Sequence, residues 1–475
     1  MTPHPAGLTY QQALAALADR GRFGVRLGLG RTRALLRELG NPERAVRGAL
    51  VGGTNGKGSV LALADAALRA AGHHVGTTPK PHLVTYRERI CIDGAPIAAE
   101  DFARLVARIL PIAERVARRH GQPTEFELLT AVVFARFAEV QPDVAVVEVG
   151  LGGRLDATHA WDGGVAAITN VDLDHMDRLG NTVTAIAREK AAIIERGDLA
   201  VTGARGDGLA VIRRRARRIG APLTIVDPAP LLGWDRDGIE VDLPGLGRTR
   251  VALRGRHQAA NVAIADAVLD ALETAGIARV GGAARRIGYA SATWPGRLEL
   301  LTVDGRDILL DGAHNPSGAA ALAAALDDLR PYLADGPLTL ITASMADKDV
   351  DGVIEALVGG GASGASGRAL AGATIVCTSV PGMGRALPAD ELAARWSRIS
   401  AGGQPRRRTG GRSAAPTIMV EPDPLVAIDR AIGTGRGPVV VAGSLYLVGM
   451  ARGHLVDDPA LRDPEPAGRG TSQHG

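Results

Sequence analysis

The chain has 475 residues, of which 46% are hydrophobic, 22% charged and 3% aromatic, with a formal net charge of +4 at pH 7. That length fills two or three domains with sizeable cores, while the small net charge and scarce aromatics exclude a strongly basic or base-stacking nucleic-acid binder. Two cysteines, Cys91 and Cys377, lack metal-ligand spacing and read as reduced thiols in a cytoplasmic protein. Residues 1–21 are mixed polar without a signal-peptide core, and no apolar run reaches the length that crosses a bilayer.

In chain order, the first strong feature is an apolar stretch ending at Leu50-Val51-Gly52, followed by Gly53-Thr54-Asn55-Gly56-Lys57-Gly58-Ser59 and a helical run from Val60 to Ala71. Strand, glycine-rich turn and helix N-terminus together make an anion site. Backbone N–H groups converge, the helix dipole adds positive potential, Lys57 supplies a point charge and Ser59 can hold Mg2+. The spacing differs from G-x-x-x-x-G-K-S/T because Gly58 intervenes. A nucleotide-phosphate site is still the better reading over a structural turn.

Thr124 with Glu127 predicts a capping box for a helix running toward Glu139. Asp143 to Val149 reads as a buried strand carrying Glu148, and Ala166 to Val171 as another, followed by Asp172, Asp174 and His175. Open α/β sheets bind ligands outside strand carboxyl ends, and a carboxylate in a buried strand is costly unless paired or bound to metal. Glu148 and His175 are therefore Mg2+ candidates, with a capping or solvated loop histidine as the plain alternative for His175. A helix beginning near Thr182 carries Lys190, which is either a solvated lysine or a partly buried amine able to take up CO2.

Trp234 to Arg254 predicts a β-hairpin insertion, Gln258 to Ala275 a helix, and Trp294-Pro295-Gly296-Arg297 a boundary. A strand pair follows at Leu298–Val303 and Asp307–Leu310, then Asp311 and His314. Gly359–Gly367 and Ala401–Ala415 read as loop-like inserts, and the polar tail from Asp463 as disordered. Alternating helices and strands make the chain α/β with parallel-rich sheets, divided into residues 1–297, including a short N-terminal extension, then 298–462, then the tail 463–475.

Of 55 basic residues only four are lysine: Lys57, Lys80, Lys190 and Lys348. Chance survival under coding bias is one explanation. A local demand for a compact ammonium or a free amine is the other, and it fits lysines inside motif-like segments.

The motifs G-T-N-G-K-G-S, E-V-G-L-G-G-R-L-D-A-T, L-D-H, A-R-E-K-A-A-I-I, H-Q-A-A-N, P-G-R-L-E, D-G-A-H-N-P, A-D-K-D and G-S-L-Y-L-V-G occur in that order. From about Gly28 to Gly449 the chain resembles the folylpolyglutamate synthase/dihydrofolate synthase family of the Mur ligase superfamily. The resemblance implies an ATP-dependent ligase that phosphorylates a carboxylate of dihydropteroate or a folyl-glutamate, after which the L-glutamate amine attacks the acyl phosphate. It implies Mg2+, two ions, held by Ser59, Glu148, His175 and a carbamylated Lys190. ATP contacts are implied at residues Gly53 through Ser59 and at Asn261, Arg297, Asp311 and His314, with two domains closing over the nucleotide: a P-loop central ATP-binding domain with a parallel-rich sheet over 1–297 and a smaller Rossmann-like α/β C-terminal domain over 298–462. Thr124, Leu155, Asp156 and Ala157 match positions lining the pterin pocket. Small-molecule substrates, a monomer, and no nucleic acid or membrane complete the expectation.

Two departures stand out. The family usually reads S-P-H-L, its serine hydroxyl on Mg2+, where this chain has Lys80-Pro81-His82-Leu83; either Thr77 or Thr78 replaces that hydroxyl, or the Lys80 ammonium substitutes for part of the metal charge, beside the γ-phosphate or the acyl phosphate. The family's D-L-G-L-E-R reads Arg26-Leu27-Gly28-Leu29-Gly30-Arg31 here, which puts pterin contacts there in doubt; His159 also replaces a common asparagine. The rival readings are another Mur-type amino-acid ligase, disfavoured because only about fifty residues precede Gly53, and a non-catalytic ATP-binding module, disfavoured by the combination of Lys57, Glu148, His175 and Lys190.

Overall fold

The computed structural model describes residues 7–21, 27–359, 370–402 and 415–465. The loop-like inserts and the tail expected from sequence fall largely outside these residues, as does Arg26. Two compact units emerge: one from Met1–Val226, Ile264–Arg285 and Asp458–Gly475, the other from Asp227–Ala263 and Arg286–Asp457. The second unit therefore begins earlier in the chain than the punctuation at Trp294–Arg297.

In the first unit, the described residues form an eight-stranded sheet. Its order is Ala95–Pro96, Cys91–Ile92, Val75–Thr78, Val144–Glu148, Gly48–Gly52, Gly164–Ile168, Leu199–Thr202 and Leu223–Ile225. The six strands from Val75–Thr78 onward are parallel, and the two short edge strands are antiparallel. The apolar runs G-A-L-V-G and V-A-V-V-E are buried at every position, because helices cover both faces of a parallel sheet. The helix Glu125–Val140 opens on the expected capping box and buries Phe134 and Phe137. Deleting either ring would cost about 3–5 kcal/mol. Strand Gly48–Gly52 lies between Val144–Glu148 and Gly164–Ile168. The loops after these three strands therefore emerge side by side at the carboxyl end, where such sheets bind ligands.

The expected hairpin at Trp234–Arg254 is a three-stranded antiparallel sheet in the second unit, Leu231–Asp235, Gly238–Leu243 and Gly247–Val251. That unit also has a six-stranded sheet in the order Glu299–Val303, Arg306–Asp311, Val439–Ala442, Thr339–Thr342, Thr374–Cys377, Thr417–Val420. Only its first pairing is antiparallel. The segment after Asp457 returns to the first unit. There Asp463, placed in the tail by sequence, accepts from Thr85 Oγ1 at 2.6 Å, while Arg87 donates to the Ala460 and Arg462 carbonyls at 2.8 Å. Among the described residues no helix is long and apolar enough to cross a membrane.

Both cysteines are free and buried, and burial pushes each thiol up to about 12. Thiolate is the reactive form. Iodoacetamide at pH 8 is expected to leave both unmodified in the native protein and to alkylate both after denaturation; native alkylation, read by mass spectrometry, would contradict the packing.

Candidate functional site

The phosphate-type turn leaves the carboxyl end of Gly48–Gly52 and enters the helix Lys57–Ala70. Gly56 sits at φ 82°, in the left-handed region that favours glycine. At Gly53, with φ 144°, a Cβ would collide with the Thr169 hydroxyl. The turn is stitched to the loop after Gly164–Ile168: Asn55 N–H donates to Asn170 Oδ1 at 2.9 Å, Thr54 N–H to Asn170 O at 3.1 Å, and Thr169 Oγ1 to Asn55 O at 2.6 Å. The Thr54 hydroxyl donates to the Asp172 carbonyl at 3.2 Å and accepts from Asp172 N–H at 3.0 Å. Sequence reasoning passed over Thr169 and Asn170, which stand immediately before the acidic turn it did single out.

Three of the chain's four lysines meet at this end of the sheet. Lys57 Nζ donates to Gly53 O at 3.1 Å and Thr54 O at 3.0 Å. Lys190 Nζ donates to the same Gly53 O at 2.8 Å, delivered by the helix Val183–Ala191, which Thr182 caps. Lys80 Nζ donates to the main-chain oxygen of Glu148, its backbone N–H donates to Glu148 Oε2 at 2.9 Å, and its ammonium stands 5.0 Å over the Phe126 ring. Burial pulls the Lys190 amine down to about 7, and the nearby Lys57 charge pushes the same way against Asp174 and Asp156. The Lys80 residue keeps some exposure, but its ammonium end is enclosed. Burial draws that amine down to about 8, opposed by Asp156 and Glu148.

Asp156 is buried and committed to its own loop, accepting from Leu151 N–H at 2.8 Å and Thr158 N–H at 3.0 Å. Thr124 spends its hydroxyl on Glu127 Oε2 at 3.1 Å. Arg31 donates to both Glu127 oxygens at 3.0 and 2.9 Å, and Gly28 N–H reaches Leu155 O at 3.4 Å. The N-terminal loop, Thr124 and Leu155 are thus one neighbourhood, and Glu127 is the acidic partner that the loop itself lacks. His159 donates from Nδ1–H to the Arg154 carbonyl at 3.1 Å, and its Nε2 lies 3.2 Å from Glu195 Oε1 without hydrogen-bond alignment.

His175 starts the short helix Met176–Leu179 in a left-handed conformation, φ 50°. Its side chain is 42% exposed, with Nε2 3.9 Å from Asp174 Oδ2. Among the described residues, no group of three or more His, Cys, Asp and Glu side chains is gathered closely enough to hold a metal. Two of the expected ligands, Ser59 and Lys190, belong to other residue types. The donors suit Mg2+ nonetheless: a buried hydroxyl at Ser59 and a buried carboxylate at Glu148 are hard oxygen groups, and Mg2+ takes most of its ligands from water and phosphate. Thr77 and Thr78 are poor substitutes for a metal-ligating serine. Thr77 interacts with the Cys91 thiol. Thr78 Oγ1 is buried without a hydrogen-bond partner, but pairing with Val147 puts Thr78 on the face opposite Glu148.

The remaining candidates lie in the second unit. Asp311 ends Arg306–Asp311, accepting from Leu298 N–H and Ala313 N–H at 2.9 Å each; burial raises its carboxyl, partly offset by Arg297. Arg297 Nη1 donates to Gly296 O at 3.1 Å, and His314 Nδ1 is 2.8 Å from Gly312 O. A Cβ at Gly312 would meet the ends of the Leu445 and Arg297 side chains, which would have to shift to admit it. Asn261 donates to Gln258 Oε1 at 2.8 Å.

Residues 51–224 match the Mur ligase middle domain, and residues 297–452 match the dihydrofolate synthetase C-terminal domain. A Bacillus subtilis dihydrofolate synthase/folylpolyglutamate synthase is 37% identical over 358 residues, covering 73% of this chain and 82% of the relative. A Mycobacterium tuberculosis folylpolyglutamate synthase solved with ADP superposes with a TM-score of 0.80 at 30% identity, over 95% of this chain and all of that one. An Escherichia coli FolC solved with DHPP and ADP gives 0.76 at 26% identity, over 94% and 98%.

The Lys190 geometry makes a stability prediction. Its folded value near 7 lies below the 10.5 of an exposed amine, so between these the unfolded chain binds more protons and stability rises with pH. Lys190→Met removes that slope. In nucleotide-free, CO2-depleted buffer its melting temperature should exceed wild type by more at pH 7 than at pH 10; an equal difference would show that the amine is not drawn down.

Proposed function

This chain belongs to the folylpolyglutamate synthase/dihydrofolate synthase family of Mur ligases, ATP-dependent enzymes that add glutamate to folate or dihydropteroate, and from that premise we propose how its residues divide the work. The carrying observation is the convergence of Lys57, Lys190 and the Gly53–Ser59 turn at the carboxyl end of the central strand. The turn takes the triphosphate. On its arrival, Lys57 exchanges neutral carbonyl acceptors for phosphate oxygens, and charge-assisted hydrogen bonds are roughly twice as strong. The pterin acid lies toward Thr124, Leu155, Asp156 and Ala157. Its carboxylate attacks the γ-phosphorus, ADP leaves, and the glutamate amine then attacks the acyl carbon and expels phosphate.

Ser59, Glu148, His175 and a carbamylated Lys190 would hold Mg2+, which neutralises charge on the transferring phosphoryl group. A Lys190 amine near 7 supports carbamylation, since only the neutral amine adds CO2, releasing one proton as the carbamate forms. Asn261, Arg297, Asp311 and His314 remain nucleotide candidates. Buried reduced thiols fit a cytoplasmic setting.

Phosphate release should require ATP, L-glutamate and a pterin acid together; release without glutamate or pterin acid would overturn the ligase reading for this chain. Lys57→Arg should lower turnover about 100-fold, because a planar guanidinium does not fit where a compact ammonium caps two adjacent carbonyls.

Glu148→Ala and His175→Ala should each shift the Mg2+ titration of phosphate release to higher concentration. Unchanged titrations would return both residues to structural roles.

A further inference from the structure

We propose that Lys80 is a substrate-binding cation beside Lys57, which donates from its ammonium to an anionic oxygen at the reacting end of the substrates. The proposal rests on the ligase reading above and adds to it a group with no assigned role. Lys80 follows the strand Val75–Thr78, whose neighbour Val144–Glu148 also flanks the phosphate-turn strand. Val51 and Glu148 are register partners, so the Glu148 carbonyl that holds Lys80 and the Gly53 carbonyl that holds Lys57 and Lys190 belong to adjoining strand ends.

The side chain is fixed at both ends. Its backbone N–H is tied to Glu148 Oε2 at 2.9 Å, and its ammonium is seated between the Glu148 carbonyl and the Phe126 ring, 5.0 Å away. The ammonium donates to a neutral carbonyl and faces an aromatic ring, with the Asp156 and Glu148 carboxylates near enough to offset part of the cost of burial. A carbonyl takes one of its three donors. An enclosed cation so supported is costly to keep and is compensated when an anion arrives. A structural lysine would be expected to lie along the surface with its head in water. Here the head is turned inward and its stem is held.

The anion has two possible sources in the same reaction, the γ-phosphate of the nucleotide and the carboxylate of the pterin acid. Both are distinguishable with Lys80→Met, which keeps the stem and removes the charge, and with Lys80→Gln should the methionine variant fail to fold. Calorimetry would give the Kd of Mg2+–AMPPCP and of Mg2+–ADP, and steady-state kinetics would give KM for the pterin acid and kcat. A γ-phosphate contact predicts AMPPCP binding weakened about tenfold with ADP unchanged. A carboxylate contact predicts KM for the pterin acid raised about tenfold with AMPPCP binding unchanged.

Values within twofold of wild type throughout would overturn the proposal. So would equal weakening of ADP and AMPPCP without a change in KM, the pattern of a distorted turn. Failure of the ligase reading is seen separately, in wild-type protein that releases no phosphate in response to glutamate and pterin acid; the nucleotide comparison would then still decide whether Lys80 meets the γ-phosphate, and equal AMPPCP affinity in wild type and variant would reject it.

Discussion

Two ammonium groups share one carbonyl oxygen. Lys57 and Lys190 both donate to Gly53 O, at 3.1 and 2.8 Å, which places them no more than about 6 Å apart. Two unit charges at that separation repel by about 3 kcal/mol at an effective dielectric near 20. The repulsion has two outlets. Lys190 can give up its proton, the direction in which burial and Lys57 already push it. Alternatively a polyanion can enter and neutralise both. Each outlet fits the proposed chemistry: only a neutral amine can add CO2, and a charged pair attracts a polyanion.

That shared carbonyl exists only because glycine occupies several places that a side chain would close. A Cβ at Gly53 would collide with Thr169, whose hydroxyl holds the turn through Asn55 O. A Cβ at Gly52 would press to 2.9 Å from Ile193 Cδ1, just beyond the helix that carries Lys190. Gly153 does the same from the other side: its absent side chain would lie 2.8 Å from Glu189 O and 3.2 Å from Lys190 Cα. The glycines after Glu148 thus do more than turn the chain. They let the Lys190 helix backbone come close enough for its amine to reach the phosphate turn.

Features built from near neighbours were readable in the sequence. The phosphate turn, the Thr124–Glu127 cap and the helix starting at Thr182 each depend on spacings of a few residues. Glu148 could be singled out because a carboxylate inside an apolar strand contradicts its surroundings. The stitching was not readable, since Asn55 finds Asn170 across 115 positions and only strand order brings them together. Lys80 was visible as a break in a pattern, but its seat on Glu148 follows from the pairing of Val75–Thr78 with Val144–Glu148. The third strand beside the expected hairpin was hidden because L-L-G-W-D carries a central glycine and follows proline-rich sequence, which reads as loop. Arg31 shows the converse. The loop lacks its own acid, and the fold supplies Glu127 from a helix about a hundred residues on.

The choice of lysine in an arginine-rich chain follows from the same geometry. A guanidinium presents a broad planar fork and stays protonated, so it cannot cap adjacent main-chain carbonyls compactly or become a neutral nucleophile. At Lys57 compactness is what the two carbonyls at 3.0–3.1 Å demand. At Lys190 the ability to lose a proton matters as well, because a permanently charged group beside Lys57 would hold the repulsion in place. Lys80 shares the enclosure and the carbonyl seat. Lys348, in A-D-K-D, belongs to the second unit. What the three lysines of the first unit share is a main-chain carbonyl acceptor; Lys190 alone is a buried residue, while Lys57 and Lys80 are half-buried.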